Sequence, residues 1–325
     1  MDDKTKEYPL WIEEIPYNSD RKKAEDMCLT NTLEPLIMVN WFKAVFGSKL
    51  SKDSHGMDDY IDRTQIRKGI VSDTYDDVPT ITPYIVPDSK TSVVIAPGGG
   101  FCMLSTENEG VHPAEMLNKI GVSAFVVKYR LAPYRWPLPA LDIQRAVRWV
   151  RAHAKEYGVR PDSVGVMGFS AGGYAVASAA AFLGNDPVAA EGYIPDGIDE
   201  ENGRPDYLIT VYPVTHFEDN PNMLANLKGP EVYTDPGKRE AWTKEYSLIE
   251  HFDRIQDLPQ FMNYGTKDML KGHENYARKV ADASPHNRVN VSKGALHGYS
   301  GEEKWSAWEE DLCDWILSEV CHINR

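Results

Sequence analysis

The sequence predicts an α/β fold with a mostly parallel central sheet and helices on both faces. Three observations lead there. Short β-rich runs alternate with helical segments, those segments carry apolar residues at helical spacing, and a glycine-flanked serine lies between a strand-like run and an alanine-rich stretch. The 325 residues are 42% hydrophobic and 26% charged, with 8 Trp and 17 Tyr, which supplies a sizeable core and argues against disorder.

Residues 1–75 combine an apolar, helix-compatible run, "TLEPLIMVNWFKAVFG", with the polar and irregular "SKLSKDSHGMDDYIDRTQIRKG". They read as an N-terminal extension, a candidate cap, ahead of one α/β domain over residues 76–325. Strands are expected at "ITPYIV" (81–86), "TSVVIA" (91–96), "VSAFVVKY" (122–129), "SVGVMG" (163–168), "YLITVY" (207–212), "PQFMNYG" (259–265) and "RVNVSK" (288–293). In "ALDIQRAVRWVRAHAKEYG", Ile143, Ala146, Val147, Val150 and Ala154 fall on one helical face, which leaves Arg145, Arg148, Arg151 and Lys155 as an expected solvated face. Trp305, Trp308, Leu312, Trp315, Ile316 and Val320 form a second stripe near the C-terminus, expected to be core. Residues 184–206 and 215–248, rich in Pro, Gly, Asn and acids, read as long loops after β-type runs. Ligands of open parallel sheets bind beyond the carboxyl ends of the strands, so both loops are candidates to shape a pocket.

The formal charge of −14 repels phosphate backbones and anionic membranes, so neither nucleic acid nor membrane is an expected partner. "MDDKTKEYPLWIEE" is not a basic leader followed by an apolar segment, and no stretch reaches the roughly 18 apolar residues of a membrane span. A cytoplasmic protein is expected. Cys28, Cys102, Cys313 and Cys321 lie far apart with no CxxC pair, so reduced thiols are expected, with no metal and no cofactor.

The chemistry concentrates in "GVMGFSAGGYA" (165–175). A strand before Ser170 and a helix after it put the serine on a tight turn, where glycines at 168 and 172 remove Cβ atoms that would clash. A serine hydroxyl needs a base, and the base an orienting carboxylate. Asp268 in "NYGTKD" and His297 in "GALHGYS" each follow a predicted strand and would reach the same sheet edge as Ser170. Asp253 and Asp257 precede their strand, and His216, His273, His286 and His322 fit less well. Acyl transfer also needs donors for an oxyanion; Gly99 and Gly100 of "VVIAPGGGF" and the Ala171 N–H are the candidates. No Lys-Ser/Thr follows these glycines, which sets a phosphate-binding loop aside. Phe101, Cys102 and Tyr299 flank this machinery as candidate pocket walls.

In this order, "PGGGF", "KYRLAP", "ALDIQRAVRWVR", "VGVMGFSAGGYAVASAA", "YPV", "GTKD" and "LHG" resemble the α/β-hydrolase esterases, in particular the bacterial acetyl esterase and acetylxylan esterase group. The resemblance runs from about residue 90 to 300. It implies Ser170 as nucleophile, His297 as general base and acid, Asp268 as its partner, and Gly99 and Gly100 in the oxyanion loop. Pro97 stands where the broader family has the histidine of His-Gly-Gly-Gly, a variant familiar in the acetyl-esterase-like group. The implied reaction is hydrolysis of short-chain acyl esters, such as O-acetyl groups on xylan-type or other oligosaccharides. A peptidase of the same fold and a non-catalytic binding protein on this scaffold are the alternatives. The first would carry a large extra domain, for which the chain leaves no room. The second has no need of all four site elements.

Overall fold

The computed structural model describes residues 6–12, 15–17, 66–67, 70–71, 78–101, 104–131, 134–218 and 221–321. In chain order the strands are β1 (Tyr8–Pro9), β2 (Ile66–Arg67), β3 (Ile70–Val71), β4 (Thr80–Tyr84), β5 (Ser92–Ala96), β6 (Ser123–Lys128), β7 (Val164–Phe169), β8 (Leu208–Val211), β9 (Gln260–Gly265) and β10 (Arg288–Ser292). The α-helices are α1 (His112–Lys119), entered through a π-helical turn at Glu107–Val111, α2 (Leu138–Ala152), α3 (Ala154–Tyr157), α4 (Ala171–Ser178), α5 (Pro221–Lys228), α6 (Pro230–Tyr233), α7 (Pro236–Tyr246), α8 (His273–Ala283) and α9 (Ala307–Trp315).

Each of the seven runs read as strands from the sequence is a strand of one sheet, β4 to β10. Its order is β1-β4-β6-β5-β7-β8-β9-β10. Neighbours from β6 to β10 pair in parallel, and β4 joins β6 antiparallel. The sequence reading missed β1, a two-residue strand that pairs antiparallel with β4 through Tyr8 opposite Ile81. Two residues are too few to show a period. β2 and β3 form a separate hairpin, and the run "WFKAVFG" lies outside the described residues.

The central parallel strands β5, β6 and β7 are mostly apolar because both faces are covered. Val94 and Ala96 of β5 join a core with Ile143, Val147 and Val150 of α2 and Ala175 and Val176 of α4. Val93 and Ile95 face the other way, into a core with Leu117 of α1 and Trp308, Leu312 and Trp315 of α9. The C-terminal aromatic stripe is therefore core, with Trp305 packed at its margin. Cys313 and Cys321 are free thiols, and burial pushes the first up to about 11. Cys28 lies outside the described residues. Among the described residues no helix is long and apolar enough to cross a membrane.

The arginines of α2 depart from the expectation. Arg145, Arg148 and Arg151 are buried, not solvated. Arg145 binds Asp196 at 2.9 Å and Asp199 at 3.0 Å, Arg148 donates to the Asp186 carbonyl at 2.9 Å, and Arg151 reaches Asp206 and the Arg204 carbonyl, both at 2.8 Å. All of these acceptors belong to residues 184–206, so that segment is laid over α2. It follows the α4 helix instead of a strand, and Asp206 at its end accepts the N–H of Val164 at the start of β7. The segment therefore ends at the start of β7, the end of that strand opposite Ser170. The segment 215–248 does follow a strand, β8, and carries α5, α6 and α7.

Candidate active site

β5 has its parallel neighbours β6 and β7 on opposite sides, so the chain crosses over in opposite directions from it. Such a switch point opens a crevice at the carboxyl ends of the strands. The glycine loop leaves β5 there and Ser170 leaves β7 beside it. The backbone of Ser170 sits at φ 51°, ψ −117°, a region that a residue with a Cβ rarely occupies. Backbone segments close around it. A Cβ on Gly168 would lie 2.3 Å from the Gly172 carbonyl oxygen, and one on Gly172 would lie 2.2 Å from that of Ala96. The glycines are thus required by contact between β7, the turn and β5. The Ser170 N–H is anchored on the Val211 carbonyl, and its own carbonyl accepts from Val214 and Tyr174.

Asp268 and His297 arrive from the ends of β9 and β10, on two loops that are hydrogen-bonded together. Thr266 and Lys267 N–H groups donate to the Ser292 and Ala295 carbonyls, and the Gly294 N–H donates to Thr266 Oγ1. His297 Nδ1 lies 3.0 and 2.9 Å from the two Asp268 carboxylate oxygens, and Nε2 lies 2.8 Å from Ser170 Oγ. Burial alone would raise the Asp268 carboxyl, but the charge and hydrogen bond of His297, with help from His273 and the Leu270 N–H, hold it below the usual carboxylate range. An ionised carboxylate only accepts, so Nδ1 carries the proton and Nε2 of the neutral ring is left as the acceptor for the Ser170 hydroxyl. All three side chains are nearly inaccessible to solvent.

Two of the competing histidines have other partners, and His322 lies outside the described residues. His273, also buried, bonds the Pro213 carbonyl through Nε2 at 2.9 Å, and burial holds it below the usual imidazole range. His286 is exposed beside Glu319.

Three residues of the glycine loop are tied by side chains from elsewhere in the fold. The Pro97 carbonyl accepts from Tyr129 Oη at 2.7 Å, the Gly98 N–H donates to Glu109 Oε2 at 2.8 Å, and the Gly100 carbonyl accepts from Asn226 Nδ2 at 2.8 Å. Asn226 belongs to α5, so the 215–248 segment does reach this loop. Gly99 and Gly100 take φ values of 137° and 65°, and Phe101 follows at 61°. Phe101 is buried, edge-on to Tyr174. Tyr299, read from the sequence as a pocket wall, is buried beside Tyr212, with its hydroxyl donating to Asn263 Oδ1. Its ring lies 4.9 Å from that of Tyr212. Cys102 lies outside the described residues.

Sequence reasoning missed Glu109, Tyr212 and Asn226. Tyr212 packs its ring 5.0 Å from that of His297 and donates its hydroxyl to Glu109 Oε1 at 2.7 Å. These partners are 103 residues apart in the chain, a separation at which no local pattern signals a contact.

Residues 93–301 match the family of the alpha/beta hydrolase fold, and the chain belongs to that family. It is 32% identical over 166 residues to an acetylxylan esterase of Xylanibacter ruminicola, a match covering 50% of this chain and 31% of the relative. It is also 32% identical over 151 residues to endo-1,4-beta-xylanase B of Butyrivibrio fibrisolvens, covering 43% of this chain and 22% of the relative. The chain thus spans a third or less of the length of these curated relatives. Among solved structures, an acetyl ester-xyloside bifunctional hydrolase from Caldicellulosiruptor lactoaceticus superposes with a TM-score of 0.57 at 26% identity, over 74% of this chain and 88% of that one.

Proposed function

We propose that this protein is a serine carboxylic ester hydrolase that removes short acyl groups, above all O-acetyl groups, from carbohydrates such as xylan-type oligosaccharides. The observation that carries the reading is the continuous line of hydrogen bonds from Asp268 through His297 to Ser170 Oγ at the strained turn. Ser170 Oγ attacks the ester carbonyl while Nε2 of His297 takes its proton, and Asp268 stabilises the imidazolium that forms. The carbonyl oxygen becomes an oxyanion. The Ala171 N–H at the start of α4 and the Gly99 and Gly100 N–H groups are its donors, each worth about 3–4 kcal/mol in the transition state. Gly98 is not among them, because its N–H is committed to Glu109. The imidazolium then protonates the departing alcohol, and a water activated by the same histidine hydrolyses the acyl-enzyme.

The acetylated carbohydrate is supported by the relatives, two of whose names join an acetyl ester to a xylan or xyloside. The glycine loop is tied by Tyr129, Glu109 and Asn226, and Phe101, which follows it, is the residue we propose to limit the size of the acyl group. No step requires a cofactor, and the free thiols Cys313 and Cys321 suit a reducing cytoplasm.

The test is hydrolysis of p-nitrophenyl esters from acetate to octanoate by the wild type and by Ser170→Ala, followed by acetylated xylo-oligosaccharides. Turnover that falls steeply after acetate and disappears with Ser170→Ala is expected. Equal turnover by the two proteins would reduce the serine turn to a packing feature and end the esterase reading.

A further inference from the structure

A second carboxylate lies under the glycine loop, and the acyl-transfer steps above make no use of it. Glu109 is set in the π-helical turn that leads into α1, with its N–H on the Ser105 carbonyl and the residue only 6% exposed. Its two oxygens take two different donors. Oε2 accepts the Gly98 N–H at 2.8 Å, and Oε1 accepts the Tyr212 hydroxyl at 2.7 Å. The first donor belongs to the loop that follows β5, and the second to the residue that follows β8. Tyr212 holds the unfavourable φ of 38°, and its ring lies 5.0 Å from that of His297 and 4.9 Å from that of Tyr299. Gly98 is pressed against the serine turn: a Cβ there would lie 2.9 Å from Ser170 Cβ and 2.7 Å from the Phe169 carbonyl oxygen. The carboxylate therefore bridges the loop that carries the oxyanion donors and the aromatic ring that backs the base.

We propose that Glu109 is the positioning residue of this site, fixing the Gly98 peptide, and with it the Gly99 and Gly100 N–H groups, in register with His297 through Tyr212. The assignment rests on the esterase reading. Its physical content is the orientation of one peptide plane. An N–H aimed at a buried carboxylate cannot rotate away without leaving both partners unsatisfied in a medium without water. A loop with three consecutive glycines has the least intrinsic resistance to such rotation. Both half-reactions pass through an oxyanion, so a loop free to turn slows both steps and leaves ester binding alone.

The variants follow from the donor inventory. A glutamine at 109 can accept from Gly98 through its carbonyl and donate to the Tyr212 oxygen through its amide, so the bridge survives. A leucine fills the space and abandons both donors. With p-nitrophenyl acetate, Glu109→Leu is expected to lower kcat by about 100-fold with KM within about twofold. Affinity for a trifluoromethyl ketone, which forms the tetrahedral adduct, should fall in proportion. Glu109→Gln is expected to restore most of kcat. Tyr212→Phe keeps the ring and removes one donor, so about a 3- to 10-fold loss in kcat is expected, and it serves where Glu109→Leu does not fold. A folded Glu109→Leu, or failing that Tyr212→Phe, with wild-type kcat overturns the proposal, as does a Glu109→Gln no better than the leucine variant. Ser170→Ala in the same assay separates the two readings. If it is active, the nucleophile assignment fails; if it is inert while Glu109→Leu keeps full kcat, only the role of Glu109 fails.

Discussion

Ser170 is held at φ 51° by contacts its neighbours cannot give up, because Gly168, Gly172 and Ala96 already meet backbone to backbone. Strain of this kind costs about 1–3 kcal/mol and persists only where the surroundings over-determine it. What the strain supports is a proton path whose direction depends on Asp268. An asparagine at 268 can present its amide to Nδ1, which moves the ring proton to Nε2 and turns the base away from Ser170. Asp268→Asn should therefore lower kcat by about 10³- to 10⁴-fold with the fold intact, and an unaffected rate would send the acid role elsewhere. The same substitution has a pH signature. The folded Asp268 carboxyl titrates below its unfolded value, so its contribution to stability is complete above the unfolded pKa of about 3.9 and is lost as pH falls through the folded one. Thermal midpoints taken across that acid range should fall more steeply for the wild type than for Asp268→Asn. Ser170, Asp268 and His297 were legible in the sequence because each follows a strand-like run, so strand ends alone bring them to one edge. Glu109, Tyr212 and Asn226 were not, since what marks them is a contact across the fold and their local sequence reads as an ordinary helix or strand end.

At the scale of elements, α2 shows what periodicity can and cannot carry. The helix and its apolar face were readable from the spacing of Ile143, Ala146, Val147 and Val150, yet the arginines between them are buried as well. A helix has one face for the sheet, but a sequence pattern does not reveal that residues 184–206 are laid over the other. The same helix holds Asp142, fully buried, which takes the Arg130 guanidinium through both oxygens at 2.9 and 2.8 Å, the Arg130 N–H at 2.9 Å and the Trp11 indole N–H at 3.0 Å. Removing one member of such a pair strands the other charge away from water. Asp142→Ala should cost about 3–5 kcal/mol in urea unfolding, measured from the midpoint and slope. Asp162→Ala, which breaks a well-formed but exposed pair with Arg160, should leave the midpoint where it is. Equal midpoints for the two variants would mean that burial does not set the strength of these contacts.

Across the whole molecule, the far edge of the sheet is closed by a segment that a reading of residues 1–75 as an extension did not place in the core. β1 adds to β4, Leu10 and Trp11 are buried, and the Leu10 carbonyl accepts from Arg145 Nε at 2.9 Å. Trp11 lies 4.7 Å from the Arg145 guanidinium and meets the ring of Tyr193 edge-on at 5.8 Å, so one side chain ties together the first strand, α2 and the 184–206 segment. Those contacts sit at the β1 edge of the sheet, four strands along from β7 and Ser170, and the two properties should separate. Trp11→Ala is expected to lower stability by about 3–5 kcal/mol, since it opens a cavity and strips a donor from Asp142. Its neighbour Ile12 is 63% exposed, and Ile12→Ala should change stability by no more than about 0.5 kcal/mol. At a temperature where both variants stay folded, both should hydrolyse p-nitrophenyl acetate at the wild-type rate. If Trp11→Ala instead lost turnover while folded, the first strand would be coupled to the site, and the sheet would have to be treated as carrying strain from one edge to Ser170.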